Sequence, residues 1–235
     1  MKLQYGSMLL KLSGEALGEG GRGIVTSIVQ PMVKMIGEAH EAGIKLGVVV
    51  GAGNLWRGAG PEAHGFDLTR SHQIGLLGTI MNAVALSEIL IKSGVPSRAY
   101  SAIALREIIP SVDIHEARRA MDAGEVVLFG GGTGNPYFTT DSAAALRAVE
   151  MGVSVLAKGT KVDGVYDRDP MKDPNAKKFD RISYEDILRL NLKVMDACAF
   201  AICRDNRLPI VVFNMTEPSA LARIAKGEKM GTLVS

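Results

Sequence analysis

The 235-residue sequence predicts an α/β protein, a three-layer α/β/α sandwich around a mainly parallel central sheet. Three observations carry that expectation. Short unbroken apolar runs rich in valine recur along the chain, one-sided helical patterns alternate with them, and several runs end in glycine-rich turns. A parallel sheet is covered by helices on both faces, so its strands read as continuous apolar runs. Strand–helix alternation then brings right-handed crossovers, which fix the layering.

The first run covers 8–12 and ends in Ser13-Gly14. Ile28, Val29, Met32, Val33, Ile36 and Ala39 next share one helical face, and Gly43 is placed to stop that helix. A second strand at 46–50 runs into Gly51-Ala52-Gly53, and a helix over 74–92 ends before Gly94. A third strand at 126–129 opens into the glycine turn 130–135. The helix after Thr140 turns Ala144, Ala145, Ala148 and Val149 inward and closes at Gly152, before a strand at 153–157. Ser183 with Asp186 resembles a capping box ahead of Ile187, Leu188 and Leu190. A helix over 195–205, a strand at 210–213 and a short helix after Pro218 complete the chain. The polar loop 167–178, with Pro170 and Pro174, is too short for an interdomain linker and predicts a surface lobe or lid. Residues 1–235 are therefore expected to form one domain.

Composition narrows the function classes. Lys and Arg number 27 against 25 Asp and Glu, a net charge of +2, with 47% hydrophobic and 22% charged residues. Disorder needs fewer apolar residues and more net charge. A near-neutral chain with 5% aromatics also lacks the basic footprint of a nucleic-acid binder. Cys198 and Cys203 are too few for a disulfide framework or a zinc site and are expected to be buried in a reducing, cytoplasmic setting. No stretch of about 20 apolar residues is free of charge, so no membrane span is expected.

The three glycine turns follow strands whose carboxyl ends would line the ligand crevice of an open parallel sheet. Glycine there lets backbone N–H groups approach a phosphate, and a following helix N-terminus favours anions. Such turns also serve plain chain geometry, and none of the three carries GxxxxGK[ST] or GxGxxG. Spacing alone stops at an anion-binding α/β protein.

Longer motifs go further. LLKLSGEALG (9–18), GVVVGAGNLWRGAG (47–60), GTGNPYFTTDSAA (132–144), KGTKVDGVYDRDP (158–170), LKVMD (192–196) and LPIVVFNM (208–215) resemble the bacterial uridylate kinases, a branch of the amino acid kinase family. The similarity spans nearly the whole chain in the right order. It implies an α/β/α kinase that transfers the γ-phosphoryl of Mg·ATP to UMP in pyrimidine biosynthesis. It also implies a homohexamer with Mg²⁺ as cofactor and UTP as inhibitor. GTP activation does not carry over, because Ser87 and Ile91 stand where basic residues often occur.

The same resemblance implies site roles. Lys11, Leu12, Ser13 and Gly14 match the ATP-phosphate segment, with Lys11 facing the transferred group, as phosphoryl transfer requires a fixed cation. Ala52 and Gly53 match the loop touching UMP and ATP, and Arg57 a phosphate clamp. Trp56 is expected to pack. Thr133, Gly134, Asn135, Pro136, Tyr137, Phe138, Thr139 and Thr140 match the UMP loop. Asp141 is expected to organise Lys11 or Mg²⁺ from the next helix start. Lys158 supplies phosphate charge, and Thr160, Tyr166 and Asp169 contact adenine and ribose, while Asp163 reads as a turn residue. His72 stands where relatives usually carry an aspartate that binds the UMP ribose, so weaker or more pH-sensitive UMP binding is expected. Acceptors such as glutamate, carbamate or isopentenyl phosphate, and a nucleotide-storage role without turnover, are the competing functions.

Overall fold

The computed structural model describes residues 3–18, 23–57, 60, 63–192 and 194–235. Residues 58 and 59 of the second motif and 193 of the fifth lie outside them.

Ten strands and seven α-helices appear among the described residues: β1 (Ser7–Leu12), α1 (Thr26–Glu41), β2 (Lys45–Val50), α2 (Leu68–Lys92), β3 (Ser97–Ser101), α3 (Ile114–Asp122), β4 (Val126–Gly130), α4 (Thr140–Met151), β5 (Val155–Thr160), β6 (Val165–Tyr166), β7 (Lys178–Phe179), β8 (Arg181–Ile182), α5 (Tyr184–Arg189), α6 (Ala197–Asp205), β9 (Ile210–Asn214), α7 (Ala220–Ala225) and β10 (Thr232–Val234). Eight strands form one sheet in the order β3-β4-β2-β1-β5-β9-β10-β8. The run from β3 to β9 is parallel, and β10 reverses against β9. The sandwich is as the sequence predicts.

Alternate residues of the buried strands feed two cores, one per sheet face. Met8, Leu10, Leu12, Val48 and Val50 meet Met32 and Ile36 of α1, Leu86 of α2 and Leu221 of α7. Leu9, Val49, Phe129 and Leu156 meet Ala144 and Ala148 of α4, Ala117 of α3 and Phe200 of α6. Each fully buried Leu, Val or Phe is worth about 1.5–3 kcal/mol, so both layers hold to the sheet by apolar contact.

Several boundaries differ from the sequence expectation. α2 begins at Leu68 rather than 74, because Asp67 caps it by accepting the Arg70 N–H at 3.0 Å. That added turn is polar, so apolar periodicity gives no sign of it. β3 carries the exposed Arg98, as suits an edge strand. Of the three apolar residues expected to pack behind the Ser183 cap, Ile187 is buried, whereas Leu188 and Leu190 are exposed; Tyr184 is buried in their place. Cys198 is exposed, against expectation, whereas burial pushes the Cys203 thiol up to about 12. α2 is long and apolar enough to cross a bilayer by composition, yet half of its most apolar window is buried, and it packs on β3 and β4. The loop 167–177 joins β6 to β7 as a hairpin, closed by the Asp167 N–H donating to the Lys177 carbonyl at 3.0 Å.

Candidate functional site

Because β1, β2, β4 and β5 are parallel, their carboxyl ends and following turns share one edge of the sheet. Lys11 on β1 is the register partner of Lys158 on β5. Neighbouring positions on a parallel pair project to the same face, so two ammonium groups stand side by side there. That face is covered by α4, whose first turn carries Asp141. Its Oδ1 lies 2.9 Å from Lys11 Nζ as an ion pair, and its Oδ2 accepts from Lys158 Nζ at 2.7 Å.

Lys158 is buried and also donates to the Val194 carbonyl. Burial pulls its pKa below the usual lysine value; the Asp141 charge opposes that shift and Lys11 adds to it. The carboxylate thus allows two like charges to coexist in a confined space.

Asp141 is held by a relay that the sequence did not single out. Thr139 caps α4, accepting the Asp141 N–H at 3.0 Å and the Ser142 N–H at 3.3 Å, and its hydroxyl donates to Asp196. Asp196 also accepts from Ser142 Oγ at 2.8 Å and caps α6 through the Ala199 N–H at 2.9 Å. Burial would raise the Asp196 pKa, but bonds from Thr139, Ala199 and Ser142 outweigh it and hold the group below its ordinary value. The signal was present in LKVMD, where Asp196 reads as an N-cap before an apolar helix.

The turn after β1 abuts the turn after β2. A Cβ on Gly14 would meet Gly53 N at 2.4 Å and Gly51 O at 2.6 Å, so only glycine fits. Asn54 and Asn82 exchange side-chain hydrogen bonds of 3.1 and 2.7 Å, and Asn82 Nδ2 donates to Gly51 O at 2.7 Å, tying the second turn to α2. Ala52 is buried there. Arg57 reaches back to Glu15, which also pairs with Lys161 Nζ at 3.4 Å. Trp56 packs, as expected: its Nε1–H donates to Ser71 Oγ at 3.0 Å and its ring meets Phe66 edge-on. Ser13 Oγ caps a short 3-10 turn by accepting the Glu15 N–H.

The loop from β4 to α4 lies at the same sheet edge. Thr133 Oγ1 bonds Asn135 N and O within the loop, and Tyr137 has φ +70°. His72 reaches this loop, its Nδ1 accepting the Tyr137 N–H at 2.9 Å. Phe138 is exposed. On the far side, Thr160, Tyr166 and Asp169 line an open cleft of about 460 Å³ with Val162, Leu192 and Val212. The Tyr166 hydroxyl donates to Asp163, which also accepts from Lys178 at 2.9 Å; Tyr166 is thereby raised and Asp163 lowered in pKa. A second cleft of about 440 Å³ reaches Asp141 and Lys158 and shares Asn191, Leu192 and Val194 with the first.

A parallel α/β/α sandwich with paired lysines and glycine turns at the carboxyl edge defines a protein built to handle phosphoryl groups. The model of the amino acid kinase family matches residues 7–214, and the chain belongs to that family. A uridylate kinase of Xanthomonas oryzae pv. oryzae is 44% identical over 234 residues, 99% of this chain and 98% of that protein. The crystal structure of a UMP kinase from Bacillus anthracis matches with TM-score 0.94 at 34% identity, covering 98% of this chain and 96% of the other. A UMP kinase from Ureaplasma parvum gives 0.91 at 33% identity, with 99% of each chain covered.

Proposed function

We propose that this chain is a UMP kinase, transferring the γ-phosphoryl of Mg·ATP to UMP to give UDP and ADP. The observation that carries this is the Lys11–Asp141–Lys158 bridge, set between glycine turns on one side and a nucleotide-sized cleft on the other. The likeness to uridylate kinases over the full chain supports UMP as acceptor. ATP occupies the cleft lined by Thr160, Tyr166 and Asp169, its phosphates running toward Ser13, Gly14, Gly53 and Lys158. UMP takes the side of Ala52, His72 and residues 133–140, with Arg57 released from Glu15 to clamp a phosphate.

A phosphate oxygen of UMP attacks the γ-phosphorus as the bond to the ADP oxygen breaks. The acceptor is already an anion, so no general base is needed; position and positive charge do the catalysis. Lys11 and Lys158 meet the charge that spreads over the γ-oxygens. Mg²⁺ would be carried on the ATP phosphates and water rather than in a protein cage. Buried Asp141 Oδ1, without an aligned hydrogen bond, fits a water of such an ion. Bound Mg²⁺ would neutralise phosphate charge. A cytoplasmic homohexamer inhibited by UTP completes the proposal. The free Cys203 and the exposed apolar Leu77, Met81 and Ile91 on α2 support its location and assembly respectively.

The test is ADP release from Mg·ATP with UMP, CMP, dUMP, glutamate and isopentenyl phosphate as acceptors. Turnover is expected with UMP, and Lys11→Ala should lower kcat about 10²–10³-fold, the effect of losing one charge-stabilising group, without lowering Tm. Silence with every acceptor, in a chain that still binds ATP, would overturn the proposal in favour of storage or sensing.

A further inference from the structure

Tyr137 is the one aromatic among the described non-glycine residues with positive φ, at +70°. Bulky side chains avoid that region because Cβ crowds the backbone, so the surroundings must hold it there. The holders all come from the first turns of α2. His72 Nδ1 accepts the Tyr137 N–H at 2.9 Å, and the two rings lie 4.9 Å apart with planes tilted by 33°. Thr69 Oγ1 lies 2.8 Å from the Tyr137 hydroxyl. Thr69 and His72 are three residues apart, hence neighbours on one helix face. Asp67 fixes the start of that helix by capping it.

An imidazole that accepts through Nδ1 carries its neutral-state proton on Nε2, so this ring has no acceptor left for a ribose hydroxyl. We propose that His72 and Thr69 are positioning residues: they bracket Tyr137 from both ends and preset the loop 133–138 in its acceptor-binding shape. This rests on the UMP kinase assignment but changes what His72 does in it. The histidine shapes the loop through a backbone amide, and Nε2–H is at most a donor toward the acceptor.

The decisive comparison is His72→Asn, His72→Gln and His72→Ala in the intact protein. Asparagine puts Oδ1 where Nδ1 lies, whereas glutamine shifts the acceptor outward by one bond. KM for UMP should rise about tenfold in the alanine and glutamine variants, as expected for one lost hydrogen bond, and return near the native value with asparagine. KM for ATP and kcat should move less than about twofold, since the nucleotide cleft and the lysines are untouched. Thr69→Val should raise KM for UMP by a smaller factor. Rescue by glutamine instead of asparagine would overturn the proposal and assign Nε2 a direct substrate contact.

A readout independent of turnover is the ¹⁵N spectrum of histidine-labelled native protein at about pH 8, where imidazoles are largely neutral. His72 should show an unprotonated Nδ1 and a protonated Nε2. The reverse tautomer would remove the bracket. Absence of UMP turnover with the expected tautomer would instead sink the kinase assignment while leaving the bracket standing.

Discussion

Two ammonium groups on adjacent strands at register-paired positions repel each other, and burial makes the repulsion stronger. Lys11 and Lys158 are tolerated because Asp141 faces both. The carboxylate also sets the pH range over which Lys158 stays charged. Burial lowers that lysine's pKa and Asp141 raises it, so Asp141→Asn removes the opposing influence. The charged form lies at low pH and is lost as pH rises through the depressed value. Activity should therefore fall on the alkaline side, and the alkaline limb of kcat should move to lower pH in Asp141→Asn. A pH–rate profile in which both limbs coincide would contradict this. The three residues could each be named from their motifs, and the resemblance already set Asp141 toward Lys11 or Mg²⁺, but the bridge from Asp141 to both lysines could not be read. It depends on the register of β1 with β5 and on α4 crossing that face. His72 shows the same gap: its position was legible, whereas its use of Nδ1 on Tyr137 depends on the β4–α4 loop folding against the start of α2, 65 residues away in sequence.

Elements meet at this site through their ends. The β1 and β2 turns touch at Gly14, where any Cβ collides with backbone. Gly14→Ala should force the turns apart and cost about 1–3 kcal/mol, as overpacking does, with a larger fractional loss in kcat/KM. Urea unfolding and steady-state kinetics on the same sample measure both. α4 and α6 join through Asp196, which bonds the cap of one helix and caps the other. Asp196→Ala should lose about 2–3 kcal/mol, combining a helix cap with the stranded hydroxyl of buried Ser142. The native Asp196 pKa is depressed, so its contribution is full above the unfolded value near 4 and fades as pH falls through the native one. The stability gap between native protein and variant should accordingly narrow in acid, and a gap constant from pH 7 to about 3 would argue against the bond network. The buried strands and long helices were legible as apolar runs and periodic faces. β3, β10 and the first turns of α2 were not, since they are polar, very short or defined by pairing rather than by pattern.

At the scale of the molecule, one sheet places the glycine turns after β1, β2 and β4 on one edge and leaves the helix faces free for other work. α3, α4 and α6 close the face beneath the lysines. On the opposite face α2 covers the sheet with Leu76, Ile80, Ala83, Leu86 and Leu90, which are buried. Its outer side carries Leu77, Met81 and Ile91, all exposed, with Val84 between them. Spacings of four, three and seven residues put these side chains along one stripe of the helix. An exposed apolar stripe on a long helix suits a second copy of the same helix, because a two-fold axis lets one surface pair with itself. Met81 is the most exposed of the four, so Met81→Glu brings two negative charges together wherever two such stripes meet across that axis. Sedimentation velocity should then show the variant as a smaller species than the native protein at the same concentration. Its far-UV spectrum should be unchanged, because Met81 contributes little to the core of its own chain. If the variant sediments with the native protein, the α2 stripe is solvent-exposed and takes no part in any assembly of this chain.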